Sequence, residues 1–166
     1  TGVQTCALPI CPLSDVLVPL SGGGLIAGIA GGLTEAGVSA SVVGVSAEHA
    51  SVMLESVRAG HPVELPERET LANALAGGIG LDNRYSFDLV RTRVDEHVTV
   101  TESEIGEAMR FAVERLRVVV EGGGAVALAA LLAGGWAPPE RDGAVVVVLS
   151  GGNVAADPLV KVLAPA

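Results

Sequence analysis

Three successive glycines follow the first long apolar run of the chain and precede a stretch of helical composition. Gly22, Gly23 and Gly24 lie between Ser21 and Leu25. Because glycine has no Cβ, consecutive backbone N–H groups can converge on one point, and a following helix adds unpaired N–H groups and a positive dipole end. This pattern is typical of a loop that binds a phosphate group. The alternative is a tight turn that binds no ligand.

A second Ser-Gly-Gly occurs at 150–152, again after an apolar run, and three more glycines lie within 121–124. A dinucleotide site is the competing hypothesis, because residues 22–27 satisfy the relaxed Gly-x-Gly-x-x-Ala Rossmann pattern. Glu48 then falls at the distance along the chain expected of a ribose ligand. That hypothesis gives Ser150 no role and leaves 121–124 unexplained.

Short apolar runs alternate with helical stretches, which predicts a parallel sheet with helices on both faces. Ligands in such sheets bind at the carboxyl ends of the strands, and two predicted strands, ending at Leu20 and Leu149, lead into Ser-Gly-Gly. The clearest helix start is Thr101 with Glu104, a capping box. The predicted strands are Asp15–Leu20, Ser41–Val45, His97–Thr101 and Ala144–Leu149, and the predicted helices are Leu25–Ala36, Ala50–Ala59, Thr70–Ala76, Ser86–Arg93, Glu102–Arg117, Glu121–Ala133 and Ala156–Leu163.

The composition is that of one globular domain. The chain has 166 residues, 49% of them hydrophobic, and a formal net charge of −9. An acidic surface disfavours nucleic acid and anionic membranes, and no apolar run approaches the roughly 20 residues of a membrane span. Cys6 and Cys11 show no spacing typical of zinc or of a disulfide framework. These features predict a cytoplasmic protein.

The first ten residues, TGVQTCALPI, resemble the translation of a DNA-sequencing adapter. We therefore expect 1–10 to be a non-native leader. The alternative is an unstructured native terminus.

Four segments together resemble the pyridoxal-phosphate-dependent threonine/serine dehydratase family, which has a tryptophan-synthase-β-like fold. They are 18–30 (VPLSGGGLIAGIA), 42–48 (VVGVSAE), 120–132 (VEGGGAVALAALL) and 145–154 (VVVVLSGGNV). Segment 76–87 (AGGIGLDNRYSF) is most similar to the hydroxyectoine-utilisation branch of that family. The resemblance implies a lyase that converts a hydroxyamino acid, of threonine or serine type or derived from ectoine, into a 2-oxo acid and ammonia.

The resemblance also implies pyridoxal 5'-phosphate as the cofactor and assigns residues to it. The glycine loop matches the one whose amides hold the phosphate, and Ser150 matches the residue whose hydroxyl bonds the pyridine nitrogen. A neutral hydroxyl leaves the ring a weaker electron sink, which suits β-elimination. Glu121 matches a glutamate near the ring; the alternative is a carboxylate stabilised by a helix N-terminus. The implied cofactor-binding residues are Ser21, Gly22, Gly23, Gly24, Leu25, Glu121, Ser150 and Gly151.

One departure from the family concerns catalysis. Family members form a Schiff base with the cofactor through a lysine in an N-terminal motif, whereas the only lysine here, Lys161, matches no such position. We therefore expect the N-terminal half of the fold to be missing, no catalytic residue to be present and the chain to be inactive alone. Residues 11–166 are then the C-terminal part of the large cofactor-binding domain.

A second departure concerns metals. Ser46 and Val52 occupy the positions at which metal-dependent relatives supply carboxylates, and Glu48 is out of register, so no metal site is predicted. His49, His61 and His97 show no metal-ligand spacing and are expected to be structural or exposed.

The remaining expectations concern the substrate and partners. Arg84 could bind a substrate carboxylate, whereas in the alternative Asp82 and Asn83 form a turn by bonding their own backbone. The expected partner is a small hydroxyamino acid, with no nucleic acid and no membrane. The resemblance implies a homodimer for the full-length protein.

Overall fold

A computed structural model describes residues 12–140 and 142–164 of the chain. The leader expected at 1–10 lies outside these residues. Within them, four strands form one parallel sheet in the order β3-β2-β1-β4. The strands are β1 (Leu13–Pro19), β2 (Ser41–Ala47), β3 (Glu96–Val100) and β4 (Ala144–Val147).

Helices cover both faces of the sheet, which confirms the predicted α/β architecture. Helices α1, α2 and α3 contribute to one apolar cluster, and α4 and α5, with α6 packed against α4, belong to the other. No helix in the described part of the chain is long and apolar enough to cross a membrane. The helices are α1 (Gly24–Glu35), α2 (Val52–Ala59), α3 (Ser86–Arg93), α4 (Glu102–Phe111), α5 (Gly122–Leu132) and α6 (Ala156–Leu163).

Side chains of β1 alternate between the two apolar clusters, as a strand buried on both faces requires. Val16 and Val18 pack with α1 and α3, whereas Leu17 packs with α5. Among the strands that the structure describes, β4 pairs with β1 alone, and its side chains are half-buried or exposed. The sheet is therefore fully covered over β1 and β2 and open at β4.

Helix α4 begins as predicted and ends earlier than predicted. The Thr101 side chain accepts from the Glu104 amide, and the Glu104 carboxylate accepts from the Thr101 amide, so the capping box is confirmed. The helix was predicted to continue to Arg117, but its last part is one π turn at Ala112–Leu116. The turn ends where the Val118 N–H donates to the Ala112 carbonyl and Arg117 adopts a φ of 60°. This wide turn ends the helix and lets the chain run on to α5.

The predicted helix Thr70–Ala76 is only a 3-10 turn at Asn73–Leu75. The Thr70 hydroxyl accepts from the Ala72 amide at 3.0 Å. Local side-chain bonds of this kind compete with helical hydrogen bonding. Residues 70–72 are therefore not helical, and only the following turn is.

His97, on β3, is half-buried, and its Nε2 has no hydrogen-bond partner among the residues that the structure describes. Burial lowers the pKa of His97 below its ordinary value of 6.5, and the charge of Arg58 lowers it further. The unfolded chain therefore takes up this proton at a higher pH than the folded chain. Folding stability linked to His97 is present above the ordinary pKa and is lost as the pH falls through the folded pKa.

Replacing His97 by glutamine, which is polar but does not titrate, is expected to remove part of the stability loss that sets in as the pH falls below 6.5, the ordinary pKa of histidine. One proton accounts for at most about 1.4 kcal/mol per pH unit. Urea unfolding at a series of pH values measures the slope. The matched control is His61→Gln at an exposed site, and an unchanged slope in His97→Gln would contradict the prediction.

Candidate functional site

The two Ser-Gly-Gly loops lie at the carboxyl edge of adjacent strands. The chain leaves β1 through α1 to reach β2 on one side, whereas β4 pairs with β1 on the other side. The strand order therefore reverses between β1 and β4. In open parallel sheets, this switch point is where a crevice forms and where ligands bind.

Gly23 is the residue that shapes the first loop. It precedes α1 as its N-cap with φ 87°, in the left-handed region, and it is buried. A Cβ on Gly23 would lie 2.7 Å from Val90 Cγ2 and 3.0 Å from Met53 Cε. At Gly22 and Gly24, which are exposed, a Cβ would meet nothing within 4 Å. The inner side of the loop is therefore closed by packing and its outer side is open.

The start of α1 carries no group that would repel or replace an anion. Its N-cap makes no side-chain hydrogen bond and its first turn has no acidic residue. The first amides of any helix have no partner inside the helix. Leu25, 46% exposed, continues the open side of the loop. Together these features form a cradle suited to a phosphate group.

Ser21 lies at the entrance of the glycine loop, and its hydroxyl is bonded to another segment of the fold. Its hydroxyl donates to the Leu75 carbonyl at 3.0 Å. This bond ties the entrance of the glycine loop to the 3-10 turn. No spacing in the sequence indicated this pair, and Leu75 had no assigned role.

The second loop, which carries Ser150 and Gly151, is held by Glu121. The Glu121 amide donates to the Gly151 carbonyl at 3.0 Å, and the Glu121 carboxylate accepts from the Asn153 amide at 3.0 Å. Although Glu121 is the N-cap of α5, its side chain makes no capping bond to that helix. Ser150 is exposed at the end of the loop. Glu121 and Gly151 are thus brought together, as the resemblance implies for one site.

The three glycines that open α5 allow other backbone segments to approach. A Cβ on Gly122 would overlap the carbonyl of Leu71, and one on Gly124 would lie 2.7 Å from the Gly151 nitrogen. All three glycines are buried. They serve close packing of α5 rather than an open loop.

The residues at the end of β2 and between β2 and α2 make contacts other than metal ligation. The Ser46 hydroxyl donates to the Leu20 carbonyl at 3.1 Å, and Val52 is 8% exposed in the core. Glu48 lies 3.6 Å from His49, measured from Oε1 to Nε2. Across 12–140 and 142–164, no group of three or more His, Cys, Asp and Glu side chains could hold a metal ion.

In the loop before α3, Asn83 makes local backbone bonds of the kind that one of the two hypotheses assigned to Asp82 and Asn83 together. Asn83 Oδ1 accepts from the Phe87 amide at 3.0 Å, and the Asn83 amide donates to the Gly80 carbonyl. Asp82 and Arg84 are outside the core. Asn83 therefore has a structural role, and a substrate contact by Arg84 stays a prediction.

The parallel sheet and the uncapped glycine loop define an α/β protein with a cradle suited to a phosphate group. Residues 2–151 match the family described as pyridoxal-phosphate dependent enzyme. The chain therefore belongs to the pyridoxal-phosphate-dependent enzyme family, and the predicted cofactor class is confirmed at this level.

Relatives with assigned names are similar over part of the chain. A putative threonine dehydratase of Sinorhizobium fredii is 45% identical over 107 residues, which cover 64% of this chain and 32% of that protein. The L-threonine ammonia-lyase of Thermotoga maritima is 36% identical over 107 residues, 64% of this chain and 26% of the relative. The chain thus spans about a third or less of these relatives.

Solved structures of the same kind share the fold. A threonine deaminase from T.th. superposes with a TM-score of 0.74 and 36% identity, covering 86% of this chain and 51% of that one. Maize serine racemase superposes with a TM-score of 0.77 and 30% identity, covering 90% and 45%. These likenesses give the nucleotide-binding alternative no support.

The residues present fit the phosphate end of the cofactor. Gly22 and Gly24 leave open space that a side chain would occupy, and the first amides of α1 face no capping group. A phosphate with two charges gains from both the amides and the helix dipole.

Proposed function

We propose that this chain is the cofactor-binding part of a lyase that converts a small hydroxyamino acid into a 2-oxo acid and ammonia. The observation that carries the proposal is the left-handed Gly23 at the uncapped start of α1, at the switch point of the sheet. Family membership and the names of the relatives, threonine dehydratase and L-threonine ammonia-lyase, support the reaction class.

In this proposal each loop holds one end of pyridoxal 5'-phosphate. The amides of 22–25 bind the phosphate, with Ser21 anchoring the loop entrance. The Ser150 hydroxyl bonds the pyridine nitrogen, and Glu121 positions the Ser150 loop through Gly151 and Asn153. The bound cofactor supplies an electron sink for the negative charge that develops at the substrate α-carbon.

The lysine that attaches the cofactor is, in this proposal, supplied from outside these 166 residues. Lys161 is the only lysine, and it is exposed on α6, among residues that pack on α4 rather than on the glycine loop. A base that takes the α-proton must lie within hydrogen-bond reach of it. We therefore expect the chain alone to bind cofactor without turning over substrate.

The finer assignments rest on the resemblance. Segment 76–87 is most similar to the hydroxyectoine-utilisation branch, and the candidate substrates are threonine, serine and an ectoine-derived hydroxyamino acid. A homodimer is likewise proposed for the full-length protein from the resemblance, and a cytoplasmic location is proposed from the composition and the cysteine spacing.

The test is a calorimetric titration of pyridoxal 5'-phosphate into the chain, with inorganic phosphate as competitor. We expect saturable binding that phosphate displaces, and no 2-oxo acid from threonine or serine. Ser150→Ala is expected to weaken binding about tenfold, the effect of losing one good hydrogen bond.

Lys161→Arg is the control for the lysine, because it keeps the charge and removes the primary amine. Its affinity for the cofactor is expected to equal that of the unsubstituted chain. Absence of binding would contradict the cofactor site. Loss of binding in Lys161→Arg, or turnover by the chain alone, would contradict the separate lysine.

A further inference from the structure

The carboxylate of Glu102, the first residue of α4, binds a loop 31 residues earlier in the chain. Oε1 accepts from the Thr70 hydroxyl and Oε2 accepts from the Leu71 amide, both at 2.6 Å. The side chain is 27% exposed, and His49 Nδ1 lies 3.7 Å from Oε1. Short hydrogen bonds to a charged acceptor are stronger than neutral ones. Glu102 therefore fixes the position of Thr70 and Leu71.

Residues 70–75, here called the bridging segment, contact both parts of the proposed cofactor site. At its start, the Leu71 carbonyl occupies the space beside Gly122 that a Cβ would need, directly after Glu121. At its end, the Leu75 carbonyl accepts the hydroxyl of Ser21 at 3.0 Å. One side of the segment thus meets the start of α5 and the other meets the glycine loop.

The bridging segment is internally bonded and is anchored in the core by two of its residues, so we expect a shift at one end to be transmitted to the other. The Ala72 amide donates to Thr70 Oγ1 at 3.0 Å, and the Leu75 amide donates to the Ala72 carbonyl at 2.8 Å. Ala72 is 0% exposed and Leu75 is 8% exposed. Close-packed interiors of this kind transmit displacements instead of absorbing them.

We propose that Glu102 is a positioning residue that sets the geometry of the cofactor site through the bridging segment. It touches neither loop itself: it holds Thr70 and Leu71, from which the segment fixes Ser21 on one side and the Glu121 end of α5 on the other. The part of the proposal that concerns cofactor affinity rests on the proposed function, whereas the part that concerns the bridging segment does not.

The first measurement is amide hydrogen exchange in Glu102→Gln, followed by NMR. Glutamine has one acceptor oxygen in place of two and carries no charge, so the charge-assisted bonds to Thr70 and Leu71 are weakened. We expect exchange at Leu71 to become about tenfold faster, with a smaller increase at Leu75. Glu104→Gln is the matched control: it removes an equal charge from the same helical turn and keeps a side-chain oxygen for the capping box, without touching the segment.

The second measurement is the affinity for pyridoxal 5'-phosphate. Glu102→Gln is expected to raise the Kd by about three- to tenfold, whereas Glu104→Gln leaves it unchanged. Thr70→Val removes the hydroxyl donor and keeps the Glu102 charge, so it is expected to act in the same direction with a smaller effect. This variant keeps the proposal testable if Glu102→Gln does not fold.

Two results would overturn the proposal: unchanged exchange at Leu71 and Leu75 in both Glu102→Gln and Thr70→Val, or equal increases in Glu104→Gln. If the unsubstituted chain does not bind the cofactor, the proposed function fails. The exchange rates still decide whether Glu102 positions the bridging segment.

Discussion

Replacing Gly122 by alanine is expected to destabilise the chain by about 3 kcal/mol, the upper end of the cost of overpacking. The Cβ would overlap the Leu71 carbonyl and lie 3.0 Å from the Ala72 nitrogen. Both partners are backbone atoms, and Leu71 is held in place by Glu102. The crowded atoms therefore have no rotamer to change and no free path to move aside. Urea unfolding with an unchanged m-value measures the loss.

The sign of this effect is its most informative property. At an open helical position, alanine in place of glycine stabilises by about 1 kcal/mol. Gly28 in α1 is such a position, since a Cβ there meets nothing within 4 Å. Gly28→Ala is therefore the matched control and is expected to raise the free energy of unfolding. Stabilisation by Gly122→Ala as well would show that Leu71 does not lie against α5.

Most of the fold could be predicted from local patterns, because the residues at which strands and helices begin and end are recognisable in the sequence. The strands are apolar β-branched runs, and β2 and β3 were each found within two residues of their ends. The capping box at Thr101 located the start of α4 because both bonds of that motif lie within four consecutive residues. Features of this kind depend on neighbours along the chain, which a sequence displays directly.

Contacts between segments that are far apart in the sequence could not be predicted from these local patterns. A glutamate in the first turn of a helix is explained by the helix dipole alone, so Glu102 gave no sign of its bonds to Thr70 and Leu71. Similarly, the glycines of 121–124 were placed at the start of a predicted helix with no contact assigned to them, whereas Gly122 and Gly124 allow close contacts with Leu71 and Gly151. Such pairs are set by the packing of α4 and α5 on the sheet.

Replacing Gly23 by alanine is expected to raise the Kd for pyridoxal 5'-phosphate at least tenfold, on the order of 1.4 kcal/mol. At φ 87° a Cβ is strained, at a cost of about 1–2 kcal/mol, and here it would also lie 2.7 Å from Val90 Cγ2. Val90 and Met53, the second close neighbour, are 0% and 1% exposed. Because these neighbours are tightly packed in the core, we expect the loop to rotate and remove the steric clash. The rotation turns the loop amides away from the point on which they converge.

Two readouts separate a distorted loop from a merely weakened fold. Gly31→Ala, on the same helix with nothing within 4 Å of its Cβ, is expected to leave the Kd unchanged. Gly23→Ala is expected to have a lower affinity for the cofactor even at temperatures well below its thermal unfolding midpoint, where the chain is folded. If backbone amides bind the phosphate, as proposed, inorganic phosphate should lose affinity in parallel with the cofactor. Equal affinities in Gly23→Ala and Gly31→Ala would place the phosphate site elsewhere in the fold.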